Sequence, residues 1–188
     1  SNEADRDIVI PQGLDVIKGA LGHRDLWIGG MGFMGATMSL SAFLAFYPTL
    51  MLEEYDLSLR LSGGILALGV IVGGVGGLGI AWAASTSKME GNFLQGLGIL
   101  MICTNIGMIF TGSLPTLFIL SFFNGVAWAF FPILVTVPFH LPQIRPRELA
   151  GAFAFTMMST SVGTSLGPLF TGLMQEGFDS LKVAMFMI

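Results

Sequence analysis

Residues 61–87 read LSGGILALGVIVGGVGGLGIAWAASTS and contain no Asp, Glu, Lys or Arg. A helix needs about 20 predominantly apolar residues to cross the roughly 30 Å hydrocarbon core of a bilayer, so this stretch is long enough for one crossing. It is apolar on every face, whereas the strands of a membrane β-barrel alternate apolar and polar residues over about ten positions. The stretch therefore predicts a transmembrane α-helix.

Uncharged stretches of similar length lie on both sides of it. Residues 26–52 precede it, and residues 149–175 follow later in the chain. Residues 91–139 are also uncharged, but a single helix of that length would measure about 70 Å. We expect two helices there, separated by the turn-rich tetrapeptide GSLP at 112–115.

These stretches together predict an all-α, polytopic transmembrane helical bundle. Five full spans are expected, at about 26–52, 61–87, 91–111, 115–139 and 149–175, and a sixth begins at 180–188. The transmembrane domain thus runs from residue 26 to residue 188, and residues 1–25 form a polar leader or linker.

The overall composition is typical of a protein that contacts a lipid bilayer. Hydrophobic residues make up 53% of the chain and charged residues 11%, and the mean hydropathy is +0.79. In soluble domains about a quarter of the residues are charged. The net charge of −4 provides no basic face for a nucleic acid. The single cysteine, Cys103, lies in an apolar stretch without metal-ligand companions, so we expect neither a metal site nor a cofactor.

The basic residues predict an orientation, because Lys and Arg favour cytoplasmic loops. Alternate loops of the bundle share a side, and one side carries six of the eight basic residues. This split predicts a cytoplasmic amino terminus in the plasma or inner membrane, with the acidic turn at 53–56 outside. The six are Arg6, Lys18, Arg24, Lys88, Arg145 and Arg147, and the two on the opposite side are Arg60 and Lys182.

Small residues recur at intervals of four on two of the predicted spans. Such residues allow helices to approach closely within a bilayer, so we expect both faces to pack against a neighbouring helix. Pro168 in the fifth span and Pro132 in the fourth remove backbone donors and predict bends. The small residues are Gly69, Gly73 and Gly77 in the second span and Ser159, Gly163 and Gly167 in the fifth.

Two short patterns associated with enzymes occur in these glycine-rich stretches. Residues 74–79 (GVGGLG) match the dinucleotide-binding pattern, but no strand precedes them and no acidic residue follows at about 20 positions. Residues 163–167 (GTSLG) match the nucleophile-elbow pattern, again without a preceding strand. We therefore predict no enzymatic activity and no catalytic residues.

Residues 146–152 read PRELAGA, and Gly163, Gly167-Pro168 and Gly172 follow in the same predicted helix. Together with six helices starting from the cytoplasm, these motifs resemble the eleventh helix of a major facilitator superfamily transporter. Leu26-Trp27 and the outward loop at 48–61 look like the seventh helix of that family and the loop after it. The chain thus resembles the carboxy-terminal half of such a transporter.

The resemblance implies transport of a small solute by alternating access, in which two six-helix halves rock around a site near the membrane midplane. The implied partners are the amino-terminal six-helix half, the lipid bilayer and the small-molecule substrate. A rival hypothesis is a membrane scaffold or assembly subunit that does not transport.

The resemblance also implies that the first and fourth spans line the cavity. Thr37 and Ser41, and likewise Asn124 and Trp128, lie four residues apart on one face of those spans. We expect these four residues to contact the substrate. The alternative is that Thr37 and Ser41 bond their own helix and that Trp128 packs against a neighbour. Because none of the five full spans contains Asp, Glu, Lys or Arg, we expect uncharged substrate contacts.

Overall fold

A computed structural model describes residues 19, 21–84, 90–128, 131, 135, 145–146 and 148–188 of the chain, with backbone only at 80–84 and 90–94. Within these ranges there are helices and no strands, which confirms the all-α prediction. The predicted leader up to residue 18, the loop at Lys88 and the bend at Pro132 lie outside the described residues. The helices are α1 (Arg24–Tyr55), α2 (Leu59–Ala84), α3 (Glu90–Phe110), α4 (Leu114–Ala127), α5 (Leu149–Phe178) and α6 (Leu181–Met187).

Two aspartates end the two longest helices. Asp56 follows α1 with a φ of 53°, and Asp179 follows α5 with a φ of 50°. Asp is one of the few residues besides glycine that adopt this left-handed conformation readily. The backbone N–H of Leu57 then donates to the carbonyl of Met51 at 3.1 Å, as expected for a helix end closed by a left-handed residue. The polar turns therefore stop helices whose apolar sequence would otherwise continue.

Two helices are long and apolar enough to cross a membrane, namely α1 and residues 59–79 of α2. In their most apolar windows only 28% and 22% of the residues are buried. Large apolar side chains such as Ile71 and Val75 are 63% and 70% exposed on the outside of the bundle. A core helix of a soluble protein would bury these side chains, so α1 and α2 support membrane association of the chain.

Of the five predicted full spans, α1 and α2 meet this test of length and hydropathy within the described part of the chain. The described side chains of α3 (Gln95–Phe110) and the described helix α4 (Leu114–Ala127) form apolar stretches shorter than the roughly 20 residues that a crossing needs, and α6 has 7 residues. Helix α5 has 30 residues but does not meet the test of hydropathy that α1 and residues 59–79 of α2 meet, and it carries many hydroxyl groups. They belong to Thr156, Ser159, Thr160, Ser161, Thr164, Ser165 and Thr171.

The helices pack as two main pairs. α1 lies along α5, and α2 lies along α4. α3 packs on α4, while α6 connects the end of α5 to α1. The largest buried apolar cluster contains Tyr47, Leu50 and Met51 of α1, Ile65 of α2 and Met108 of α3, and it joins the two pairs near the carboxyl end of α1.

Glycines form the contact between α1 and α5. A Cβ atom added at Gly163 would collide with the carbonyl oxygen of Met34 and the hydroxyl of Thr37. One added at Gly167 would collide with Met38 and Ser41 in the same way. The α5 helix continues through Pro168 to Phe178.

A second glycine contact joins α2 to α4. A Cβ at Gly69 would lie 3.2 Å from the Ser121 hydroxyl, and one at Gly73 would lie 3.1 Å from the Gly125 carbonyl oxygen. A Cβ at Gly125 would collide with the carbonyl oxygen of Gly69. Gly77 is buried one turn further along α2. The two faces predicted from glycine spacing therefore lie at the two main helix pairs.

Candidate binding cavity

A cavity of about 360 Å³ lies where α1, α2 and α4 converge. Its volume is within the range of small-molecule sites in proteins. Most of its wall is apolar, and α2 contributes a stretch of glycines. The lining residues are Leu40, Phe43 and Leu44 of α1, Leu66, Gly69, Val70, Gly73, Gly74, Gly77 and Leu78 of α2, Met108 of α3, Ser121, Asn124 and Trp128 of α4, and Phe131.

The amide of Asn124 is the centre of the polar part of this wall. Its Nδ2 donates to Thr104 Oγ1 at 2.9 Å and to Asn105 Oδ1 at 2.7 Å, both on α3. Its Oδ1 accepts from the indole Nε1 of Trp128 at 3.0 Å. Asn105 thus takes part in a hydrogen bond between α3 and α4. The side chain of Asn124 is buried, and its bonds hold α3, α4 and the Trp128 ring together.

Ser121 lies three residues before Asn124 on the same face of α4. Its hydroxyl donates to the backbone carbonyl of Ile65 on α2, beside the glycine face at Gly69. Sequence reasoning missed Ser121, although its spacing of three from Asn124 places both on one helix face. It also missed Phe43 and Gly74, because an apolar side chain or a glycine carries no signal for a cavity without the helix arrangement.

Thr37 and Ser41 do not line this cavity. The Thr37 hydroxyl donates to the carbonyl of Phe33 at 3.0 Å and lies 3.3 Å from the carbonyl of Thr160 on α5. The Ser41 hydroxyl donates to the carbonyl of Met38 at 3.1 Å. Both face the glycines of α5. Both also donate hydrogen bonds to carbonyls of their own helix, as in the alternative interpretation of the sequence. The structure therefore brings Asn124 and Trp128 to the cavity and leaves Thr37 and Ser41 in the α1–α5 contact.

Trp128 also packs against a neighbouring helix, as in the alternative interpretation of the sequence. It is the capping residue at the carboxyl end of α4, and its side chain contacts an apolar cluster formed by Leu97, Met101 and Ala127. The indole thus has one side against α3 and another at the cavity, with its N–H held by Asn124. Packing and lining are compatible roles for one large aromatic ring.

A charged cluster lies at the amino ends of α1 and α5. A Glu148 carboxylate oxygen accepts from the backbone N–H of Arg145 at 3.2 Å and lies 3.2 Å from His23 Nε2. The Arg145 N–H and then the His23 side chain hold the pKa of Glu148 below its ordinary value. Trp27 stacks edge-on against Phe155 beside this cluster, with ring centroids 4.9 Å apart. The cluster closes this end of the α1–α5 pair.

A second polar cluster lies at the opposite end of α1. The Lys182 ammonium donates to Glu54 at 3.3 Å and to the hydroxyl of Tyr55 at 3.2 Å. Tyr55 in turn donates to the carbonyl of Ile109 at 3.0 Å, and the ammonium lies 5.3 Å from the ring centre of Phe110. These contacts tie together the carboxyl ends of α1 and α3 and the amino end of α6.

The residues that the structure describes include no group of three or more His, Cys, Asp or Glu side chains that could hold a metal ion. Comparisons of the chain with protein-family models, with curated proteins and with solved structures gave no match.

Proposed function

We propose that this chain is the carboxy-terminal half of a secondary transporter of the major facilitator superfamily type, and that its cavity takes a small solute. The observation that carries the proposal is the position of the cavity between α1 and α4, the two helices that the resemblance implies should line the pathway. Asn124 and Trp128 are the proposed solute contacts, while Thr37 and Ser41 hold α1 against α5.

The proposal takes all five predicted stretches, with the start of a sixth, as crossings of the bilayer. The two polar clusters support this arrangement. Tyr55, Ile109 and Lys182 meet at one end, and His23 and Glu148 meet at the other. If the helices cross the bilayer alternately up and down, the first three residues lie at one membrane surface and the other two lie at the opposite surface, which agrees with these contacts. With the excess of basic residues, the His23–Glu148 end is the proposed cytoplasmic end.

The first experiment is solute uptake by the full-length protein in liposomes. Radiolabelled small solutes are chosen from those that raise the thermal unfolding temperature of the purified protein, because a ligand that binds the folded state stabilises it. We expect Trp128→Ala to lower the uptake rate about tenfold or more, a loss of about 1.4 kcal/mol in solute contacts.

Trp27→Ala is the matched control, because it removes the same side chain from the same protein outside the cavity. Its uptake should stay close to that of the unsubstituted protein. The rival hypothesis, a scaffold or assembly subunit, predicts that none of the stabilising solutes crosses the membrane, although the protein is folded. That result would refute the transporter proposal.

A further inference from the structure

Among the residues that the structure describes, the polar side chains of the cavity wall have no hydrogen-bond donor left for a ligand. Ser121 carries one donor hydrogen, Asn124 two and Trp128 one. The Ser121 hydroxyl donates to Ile65, both Asn124 hydrogens go to α3, and the Trp128 N–H goes to Asn124. A ligand carboxylate, phosphate or sulfonate would therefore enter without a side-chain donor from this wall.

The described part of the wall also lacks charge. None of the lining residues that the structure describes is Asp, Glu, Lys, Arg or His. A charged or zwitterionic ligand would lose its hydration without compensation from this wall. The free-energy cost of that desolvation is far larger than the free energy gained by burying an apolar group. By contrast, Phe43, Leu66 and Met108 provide surface that gains free energy when it contacts an apolar molecule.

We infer that the cavity binds uncharged, predominantly apolar molecules and excludes anions and zwitterions. This inference rests on the proposed function and names its substrate class. Two sources share the required chemistry, a free hydrophobic solute and the acyl chain of a membrane lipid. The cavity volume of about 360 Å³ is near the lower end for ligand sites and suits a molecule of one or two rings.

Gly74 provides a way to fill the cavity without disturbing the packing. It lines the cavity, and a Cβ added there would meet no atom within 4 Å. Gly74→Leu should therefore place its side chain in open space. Gly64 is the matched control, since it lies on the same helix, has the same free surroundings and does not line the cavity.

The test uses Trp128 as a fluorescent reporter of contact. The chain has three tryptophans, so Trp27→Phe with Trp82→Phe leaves Trp128 as its single tryptophan, and any tryptophan elsewhere in the full-length protein is replaced by phenylalanine as well. The protein is placed in lipid nanodiscs, and quenching is measured with bromobenzene, which is neutral, and with 4-bromobenzoate, which is its anionic counterpart. A bromine atom quenches an indole only at close range. Nanodiscs made with brominated phosphatidylcholine report contact with acyl chains.

We expect saturable quenching of Trp128 by bromobenzene, with an apparent affinity that Gly74→Leu lowers about tenfold and Gly64→Leu leaves unchanged. 4-Bromobenzoate should give no quenching that depends on residue 74. If the brominated lipid gives the quenching that depends on residue 74, the inference of an apolar ligand holds and the ligand is the acyl chain of a lipid. Circular dichroism of each variant confirms that the helices are retained.

Two outcomes would overturn the inference. One is quenching by 4-bromobenzoate that depends on residue 74 and matches that of bromobenzene, which would leave the transport proposal standing with another substrate class. The other is the absence of any residue-74-dependent quenching by the neutral probe or the brominated lipid. Conversely, the expected quenching together with a failed uptake assay would reject transport and retain the apolar binding site.

Discussion

Tyr47 and Tyr55 lie two turns apart on α1 and differ in what their hydroxyl groups contact. The Tyr55 hydroxyl donates to Ile109 and accepts from Lys182. Tyr47 is fully buried in the main apolar cluster, and its hydroxyl has no hydrogen-bond partner among the residues that the structure describes. A buried hydroxyl without a partner costs about 1–3 kcal/mol of desolvation.

The two tyrosines therefore predict opposite effects of the same substitution. Tyr47→Phe removes an unpaired polar atom and should leave the thermal unfolding temperature unchanged or raise it. Tyr55→Phe removes two hydrogen bonds and should destabilise the protein by about 1 kcal/mol or more. Thermal unfolding of the chain in detergent, followed by circular dichroism, measures both. A loss at Tyr47→Phe equal to that at Tyr55→Phe would contradict the assignment of Tyr47 as unpaired.

The role of single residues could be predicted from sequence only where local spacing decides it. The four-residue spacing of Asn124 and Trp128 correctly placed both on one face, and the structure shows both at the cavity. The same spacing holds for Thr37 and Ser41, but their face is covered by α5, more than 100 residues away in the chain. Similarly, the donors of Asn124 are occupied by α3, which depends on helix packing rather than on sequence pattern.

At the scale of elements, the α1–α5 contact depends on two glycines that have no room for a side chain. Gly163→Ala would push its Cβ into Met34 and Thr37, and overpacking of this kind costs about 1–3 kcal/mol. Gly172 lies further along the same helix, and a Cβ there would meet no atom within 4 Å. Gly172→Ala should instead stabilise the helix by up to about 1 kcal/mol, because alanine has the higher helix propensity.

Thermal unfolding in detergent should therefore show a lower midpoint for Gly163→Ala and an unchanged or higher one for Gly172→Ala. Equal effects of the two substitutions would mean that the α1–α5 contact is looser than the structure indicates. The comparison is informative because both changes add the same methyl group to the same helix.

The amino ends of α1 and α5 predict a dependence of stability on pH. The Glu148 pKa is lower in the folded protein than its ordinary value. The ionised side chain therefore contributes fully to folding stability when the pH is above the pKa of the unfolded chain, about 4.3. The contribution is lost as the pH falls through the folded value. Glu148→Gln should therefore reduce the loss of thermal stability between about pH 6 and pH 3.

Glu176→Gln is the control for this titration, since Glu176 is an exposed glutamate of the same helix. As the pH falls, Glu176→Gln should lose as much thermal stability as the unsubstituted chain does. An identical acid response of Glu148→Gln and Glu176→Gln would show that the Glu148 contacts do not stabilise the α1–α5 end.

Element positions were predicted better than the number of crossings. α1 and α2 begin and end within a few residues of their charge-free stretches, because charged side chains are excluded from long apolar helices. α5 shows why fewer helices than predicted meet the test of length and hydropathy. A stretch without charges does not reveal how far hydroxyl groups and glycines, which here serve the contact with α1, lower the hydropathy of a helix.

At the scale of the whole molecule, α1 is the helix on which the membrane arrangement is best tested. Asp25 in its first turn and Glu53 in its last are both exposed, and 28 residues of helix separate them by about 42 Å. This distance exceeds the roughly 30 Å hydrocarbon core. If α1 crosses the bilayer as proposed, the two positions must lie on opposite sides, with Glu53 outside because the basic residues favour the other end.

The prediction uses the full-length protein with its native cysteines replaced, Cys103→Ser among them. A single cysteine is then introduced as Asp25→Cys or Glu53→Cys and treated in intact cells with a thiol reagent that does not cross membranes. We expect labelling of Glu53→Cys at once and of Asp25→Cys only after the cells are permeabilised. The reverse pattern would invert the orientation, and immediate labelling of both would show that α1 does not cross the bilayer, because a continuous apolar helix of this length cannot expose both ends on one side while it spans.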